Sequence, residues 1–107
     1  MLKYNFYVGL NDKYTCRQEV STEKAEMILS EILLNEFHVY GFTMINCKGV
    51  YKMENTGEII SENTIKIEIV SESDGAIPAD RIVEEIKNRL NQESVMVEKS
   101  EKNVSFL

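Results

Sequence analysis

Along Thr64-Ile65-Lys66-Ile67-Glu68-Ile69-Val70 every second residue is isoleucine, with charged side chains between. A period of two marks a strand with one buried face and one wet face, and this stretch predicts the central strand of a sheet. Tyr4 to Leu10 repeats the pattern, with Tyr4, Phe6, Val8 and Leu10 on one side of a first strand. Residues 11–19 are polar, lack a period and predict an exposed loop. Ser21 then caps a helix whose apolar stripe is Ala25, Ile28, Leu29, Ile32, Leu33 and Phe37, and Glu23 lies where the helix dipole favours an anion.

Residues 42–52 predict a second strand that returns on the central one through a turn near Glu54-Asn55-Thr56-Gly57. Burial selects the register in which Met44 faces Ile67, Phe42 faces Ile69 and Asn46 faces Ile65, because a slip of one residue would turn the apolar side chains to water. Gly49 in mid-strand predicts a bulge or bend. An acidic turn is expected over 71–76, and Pro78 suits the first turn of a second helix with the stripe Ala79, Ile82, Val83, Ile86 and Leu90. Residues 94–98 predict the fourth strand, and 103–107 an extra C-terminal strand beside it. The order β-α-β-β-α-β with right-handed crossovers implies an α+β fold. It is a ferredoxin-like, four-stranded antiparallel sheet with the third strand between the first and second and both helices on one face.

The chain has 107 residues, enough for one core, so residues 1–107 are expected to form a single domain. The formal net charge of -6 opposes binding to a polyanion, and nucleic acid is excluded as an expected partner. Acidic and basic residues balance up to Met53, so the excess of acid lies from Glu54 onward. No apolar run is long enough to span a bilayer, and the N-terminus lacks a secretory pattern, which points to a cytoplasmic protein without a membrane partner. Cys16 and Cys47 form neither a disulfide framework nor a zinc pattern. Cys16 is expected on a loop and Cys47 packed in a strand.

Gly41-Phe42-Thr43, Gly49-Val50-Tyr51, Glu62, Asn91-Gln92-Glu93-Ser94-Val95 and Val104-Ser105-Phe106 together resemble an uncharacterised family of small bacterial and phage-associated proteins. The resemblance covers most of the chain. The lipoprotein-like beginning usual in that family is missing, since the chain opens on its first strand, which favours a phage or mobile-element version over an envelope role. The family implies the fold and carries no established activity.

Chemistry is sparse. His38, the only histidine, lies beside Val39 and Tyr40 without a partner for general-base or metal work, and reads as a packed or surface residue. No catalytic pairing, calcium loop or phosphate cradle is present, so no metal site and no cofactor are expected, and the reading leans to a non-enzyme. Tyr51, Glu62, Gln92, Glu93 and Ser94 are candidates for a small polar ligand site. Each also has a plain structural use, in that Gln and Ser satisfy backbone groups at a helix end and Glu62 is solvated.

The sheet face away from the helices offers Tyr7, Ile45, Cys47, Lys66, Glu68 and Met96, too mixed for a second core. The expectation is a non-enzymatic interaction or assembly module using that face for a homodimer or a protein partner. The alternative is a small-molecule-binding protein or enzyme of the dimeric α+β barrel kind, with a cleft near Tyr51, Glu62 and Gln92.

Overall fold

The structure, a computed structural model, describes residues 1–73 and 75–107. The elements in order are β1 (Leu2–Gly9), α1 (Thr22–Glu31), β2 (Thr43–Lys52), β3 (Ile59–Ser71), α2 (Ala79–Leu90) and β4 (Met96–Glu101). They form an antiparallel four-stranded sheet in the order β2-β3-β1-β4, the ferredoxin-like arrangement. Asp74, in the acidic turn expected over 71–76, lies outside the described residues.

The inner face of the sheet follows directly from the alternation. Phe6 pairs with Ile67 on one side and Val97 on the other, Ile67 pairs with Met44, and Tyr4 and Val8 pair with Ile69 and Ile65. Ala25, Leu29, Ile32 and Leu33 from the first helical segment and Ile82, Ile86 and Leu90 from α2 close over this face. At roughly 25 cal/mol per Å² of apolar surface, burying such side chains is the main favourable contribution to the fold.

Helix ends behave as their residues dictate. The Ser21 side chain accepts from the Lys24 N–H at 3.1 Å and caps α1. The helix does not run straight to Phe37. It widens into a π-turn over Ile32–Glu36, where the Phe37 N–H reaches the Ile32 carbonyl at 3.1 Å. The turn keeps Ile32 and Leu33 in the core and leaves Leu34 outside. Arg89 of α2 ties this turn down through Glu36 at 2.8 Å and Glu31 at 3.2 Å. α2 ends on Asn91 in the left-handed conformation at φ 51°.

The β2–β3 register is the one burial selects, with Met44 opposite Ile67 and Asn46 opposite Ile65, although Phe42 stops just short of the strand. The turn occupies 53–58, with Gly57 left-handed at φ 73° and donating to the Met53 carbonyl.

Four expectations need correction. Gly49 makes no bulge, since the ladder passes unbroken through Lys48–Asn63 and Gly49–Glu62. A Cβ there would meet the Thr64 hydroxyl at 3.0 Å, so the glycine serves a close side-chain approach. Cys47 is exposed, because its side of β2 faces away from the helices. The last strand is displaced to Met96–Glu101, with Gln92 to Val95 spent on leaving the helix. No further strand forms over 103–107: the Lys102 N–H donates to the Met1 carbonyl at 2.9 Å, and the chain then leaves the sheet edge.

β3 is much longer than the stretch first read as the central strand. Only Thr64–Ser71 pairs with β1, whereas Ile59–Asn63 pairs with β2 alone. The β2–β3 hairpin therefore projects beyond the sheet as a two-stranded arm, consistent with extents of 46 × 26 × 24 Å. No helix among the described residues is long and apolar enough to cross a membrane.

Candidate functional site

The base of the arm, the β1–α1 loop and the end of α2 meet around a cleft of about 400 Å³. Tyr51, Glu62, Gln92, Glu93 and Ser94 all line it, joined by Asn11, Lys13, Cys16 and Met53. Five residues proposed from three separate stretches of sequence are thus brought together. Asn11, Lys13 and Cys16 were not singled out, because nothing in a polar loop without a period says which way it folds.

Two features hold Glu62. Its Oε2 accepts from the Asn11 backbone N–H at 3.0 Å, and its carboxylate lies against the bare Cα of Gly9, where any Cβ would collide with it. A glycine on the end of β1 is what lets a side chain from β3 fold across the strand. Gln92 is buried, with its side-chain nitrogen donating to the carbonyls of Asn11 at 2.8 Å and Leu90 at 3.3 Å. Those two bonds pin the loop to the helix end and occupy the side-chain nitrogen of Gln92. Asp12 reinforces the same junction by accepting from the Asn91 side chain at 2.7 Å and from the Tyr14 N–H at 2.8 Å. These bonds, with Asn91 the strongest influence, hold the Asp12 carboxyl below the usual carboxylate range.

Burial, followed by the negative charge of Glu62 and then by Cys16 and Glu93, pushes the Tyr51 hydroxyl above the ordinary phenol range. At neutral pH it is a protonated donor facing a fixed carboxylate. The cleft thus combines an orientated acceptor and a phenolic donor, a pair suited to hydrogen-bonding a small polar molecule, while the Lys13 ammonium stands 5.1 Å over the Tyr14 ring. Among the described residues no group of His, Cys, Asp and Glu side chains is arranged to hold a metal ion.

The other candidate set stands on the sheet face opposite the helices. Met96, Tyr7, Lys66 and Ile45 form one cross-strand row, with Cys47 and Glu68 in the rows on either side. Ile45 and Met96 are exposed. Lys66 and Glu68 are already paired within the chain, since Glu68 accepts from Lys66 at 3.2 Å and from Lys3 at 3.3 Å. These bonds, Lys66 first, hold the Glu68 carboxyl below its usual range and raise Lys66. Lys66 also stands 5.6 Å over the Tyr7 ring. Beneath this layer Asn5 is buried, its side-chain nitrogen donating to Glu98 at 2.7 Å while its side-chain oxygen has no partner. His38, elsewhere, is exposed and left-handed at φ 54°, its ring 3.3 Å from the Tyr40 hydroxyl.

No curated protein matches the chain. Among solved structures, the phage SAM lyase in complex with S-methyl-5'-thioadenosine is similar with a TM-score of 0.69 and 23% identity, covering 94% of this chain and 80% of that one. The periplasmic divalent cation tolerance protein CutA from Archaeoglobus fulgidus gives a TM-score of 0.64 at 13% identity, covering 99% and 88%. The B. subtilis GlnK–ATP complex gives 0.54 at 20% identity, covering 92% and 80%. At such identities the likeness is one of fold. In sequence, the family described as "Protein of unknown function (DUF3574)" matches residues 3–106, and the chain belongs to that family.

Proposed function

We propose that residues 1–107 act as one cytoplasmic domain, of phage or mobile-element origin, that self-associates through its open sheet face into a homodimer. The observation that carries this reading is the cross-strand row Met96–Tyr7–Lys66–Ile45. It places Met96, Tyr7 and Ile45 around Lys66 across the full width of the sheet, and the arm continues the same face with the exposed Tyr51. A two-stranded ribbon is marginal in water, and a second copy supplies the missing contacts without another gene product. Internal pairing of Lys66 and Glu68 reduces the number of unmatched charges that contact would have to desolvate. Light scattering on the wild type at about 100 μM is expected to give the mass of a dimer, and on Ile45→Glu that of a folded monomer. A monomeric wild type, or a dimer unaffected by Ile45→Glu, overturns the reading.

A second reading, small-molecule binding, is favoured by the convergence of Tyr51, Glu62 and Gln92 on the arm-base cleft. Two proteins of similar fold hold S-methyl-5'-thioadenosine and ATP, both adenosine compounds, which makes an adenosine-bearing ligand the class to try first. Calorimetric titration with both compounds is the test. Tyr51→Phe and Glu62→Gln are each expected to weaken binding at least about tenfold, the loss of one hydrogen bond to a charged or buried group. Heats that are absent, or unchanged in both variants, overturn it.

A further inference from the structure

The opposite end of the sheet carries a different cleft, of about 470 Å³, between the α1–β2 connection, the end of β3 and the C-terminal segment. Its floor is apolar, built from Phe37, Phe42, Ile69 and Ile77. Two aromatic side chains stand at its margins, Tyr40 at 80% and Phe106 at 81% exposure. The backbone holds Tyr40 out. The Val39 N–H donates to the Leu33 carbonyl at 2.7 Å and Val39 is buried, while the left-handed conformation of His38 turns the chain just before it. For a non-glycine residue that conformation carries a cost, and such residues are found where the surroundings require it. Glu68 also lines this cleft at the strand edge, its carboxylate carrying one lysine on each oxygen with acceptor positions remaining.

We infer that this cleft binds a flat bicyclic heteroaromatic molecule that carries a ring N–H, stacked on Tyr40 and Phe106 and donating to the Glu68 carboxylate. Aromatic side chains left in water beside an apolar floor gain most from a flat ring, whose faces lose water on both sides. A carboxylate at the edge of the cleft selects a donor over an acceptor, because an acceptor placed there would lose its own water and gain nothing. The site shares no lining residue with the arm-base cleft and is independent of the small-molecule reading, whereas it shares Glu68 with the open sheet face proposed for the dimer, whose test is the oligomeric state and not ligand binding.

Indole and its donor-free isostere benzofuran separate these contributions. In a titration followed by ¹⁵N chemical shifts, indole is expected to give saturable shifts confined to 37–43, 68–70 and the segment around Phe106. Benzofuran is expected to bind at least about threefold more weakly, the value of a modest net hydrogen bond. Tyr40→Ala and Phe106→Ala remove exposed side chains, so both variants should keep the wild-type urea midpoint and bind indole at least about fivefold more weakly. Shifts that do not saturate, shifts centred on Tyr51 and Glu62, or equal affinity in both variants overturn the site. Equal affinity for indole and benzofuran overturns the donor class assigned to its ligand.

Discussion

β3 is two strands in one. From Thr64 to Ser71 it pairs with β1, and as far as Glu68 with β2 as well, and Ile65, Ile67 and Ile69 are essentially inaccessible. From Ile59 to Asn63 the same strand continues in the same register against β2 alone, and Ile59 is 71% exposed. The register against β2 is continuous between the halves, and both carry isoleucine. The length of β1 is what differs: that strand ends at Gly9, and past the bonds from the Leu10 N–H to the Asn63 carbonyl and from the Asn11 N–H to Glu62 the ladder has only β2 on one side. Burial is therefore conferred by distant segments, and a run of apolar residues acquires opposite roles along one strand.

The sharpest test substitutes the same charge into both halves. Ile67→Asp buries an unpaired carboxylate and is expected to cost at least about 3 kcal/mol in urea unfolding, whereas Ile59→Asp should stay within about 0.5 kcal/mol. Comparable costs at the two sites would abolish the distinction. Hydrogen exchange in solution dilute enough to keep the chain monomeric probes it without mutation: amides in the arm should open by local fraying, and those at Ile65, Ile67 and Ile69 only on global unfolding. Uniform protection along β3 at higher concentration would mean that the arm is covered, as a dimer clasping it would produce.

Where the halves join, Gly9→Ala is expected to push the Glu62 carboxylate off β1 and deprive the Asn11 N–H of its acceptor. The cost should be about 1 kcal/mol, with shift changes concentrated on the arm-base cleft. An unchanged Glu62 environment would show that the glycine is not what seats it. The smallest effect concerns acid. Because the folded state holds the Glu68 carboxyl below its usual range, its contribution is present above the unfolded value and is lost as pH falls through the folded one. Glu68→Gln should therefore flatten the dependence of unfolding free energy on pH below the ordinary glutamate range, and leave it unchanged above.

The sheet body was readable because its residues repeat at the period of the structure they form. The Ile65, Ile67, Ile69 alternation and the Ile82, Ile86, Leu90 spacing define faces, and matching faces fixed the register of Met44 on Ile67. The arm was not readable, since Val50 and Ile59 fall on the same side of their strands as Met44 and Ile67 and only the length of β1 leaves them outside. Gly49 misled for a related reason, because a glycine that weakens a ladder and one that admits a neighbouring side chain look alike until the neighbour is known. In the cleft, Tyr51, Glu62 and Gln92 could be listed from sequence but not joined. Asn11 and Gly9, which set the position of Glu62, have significance only once β1 and β3 lie side by side.

The strand order also has a consequence in time. β1 leaves the ribosome before every other element of the sheet, yet it is an inner strand, and Leu2 waits for Ser71 on one side and Glu101 on the other. Until those segments are synthesised, Tyr4, Phe6 and Val8 have no sheet to join, and α1 can form only as a marginal isolated helix. Pairings of such large sequence separation fold slowly and leave apolar strands open to wrong partners meanwhile. A nascent chain halted before Ser71 should therefore resemble a client of chaperones more than a partial version of this domain.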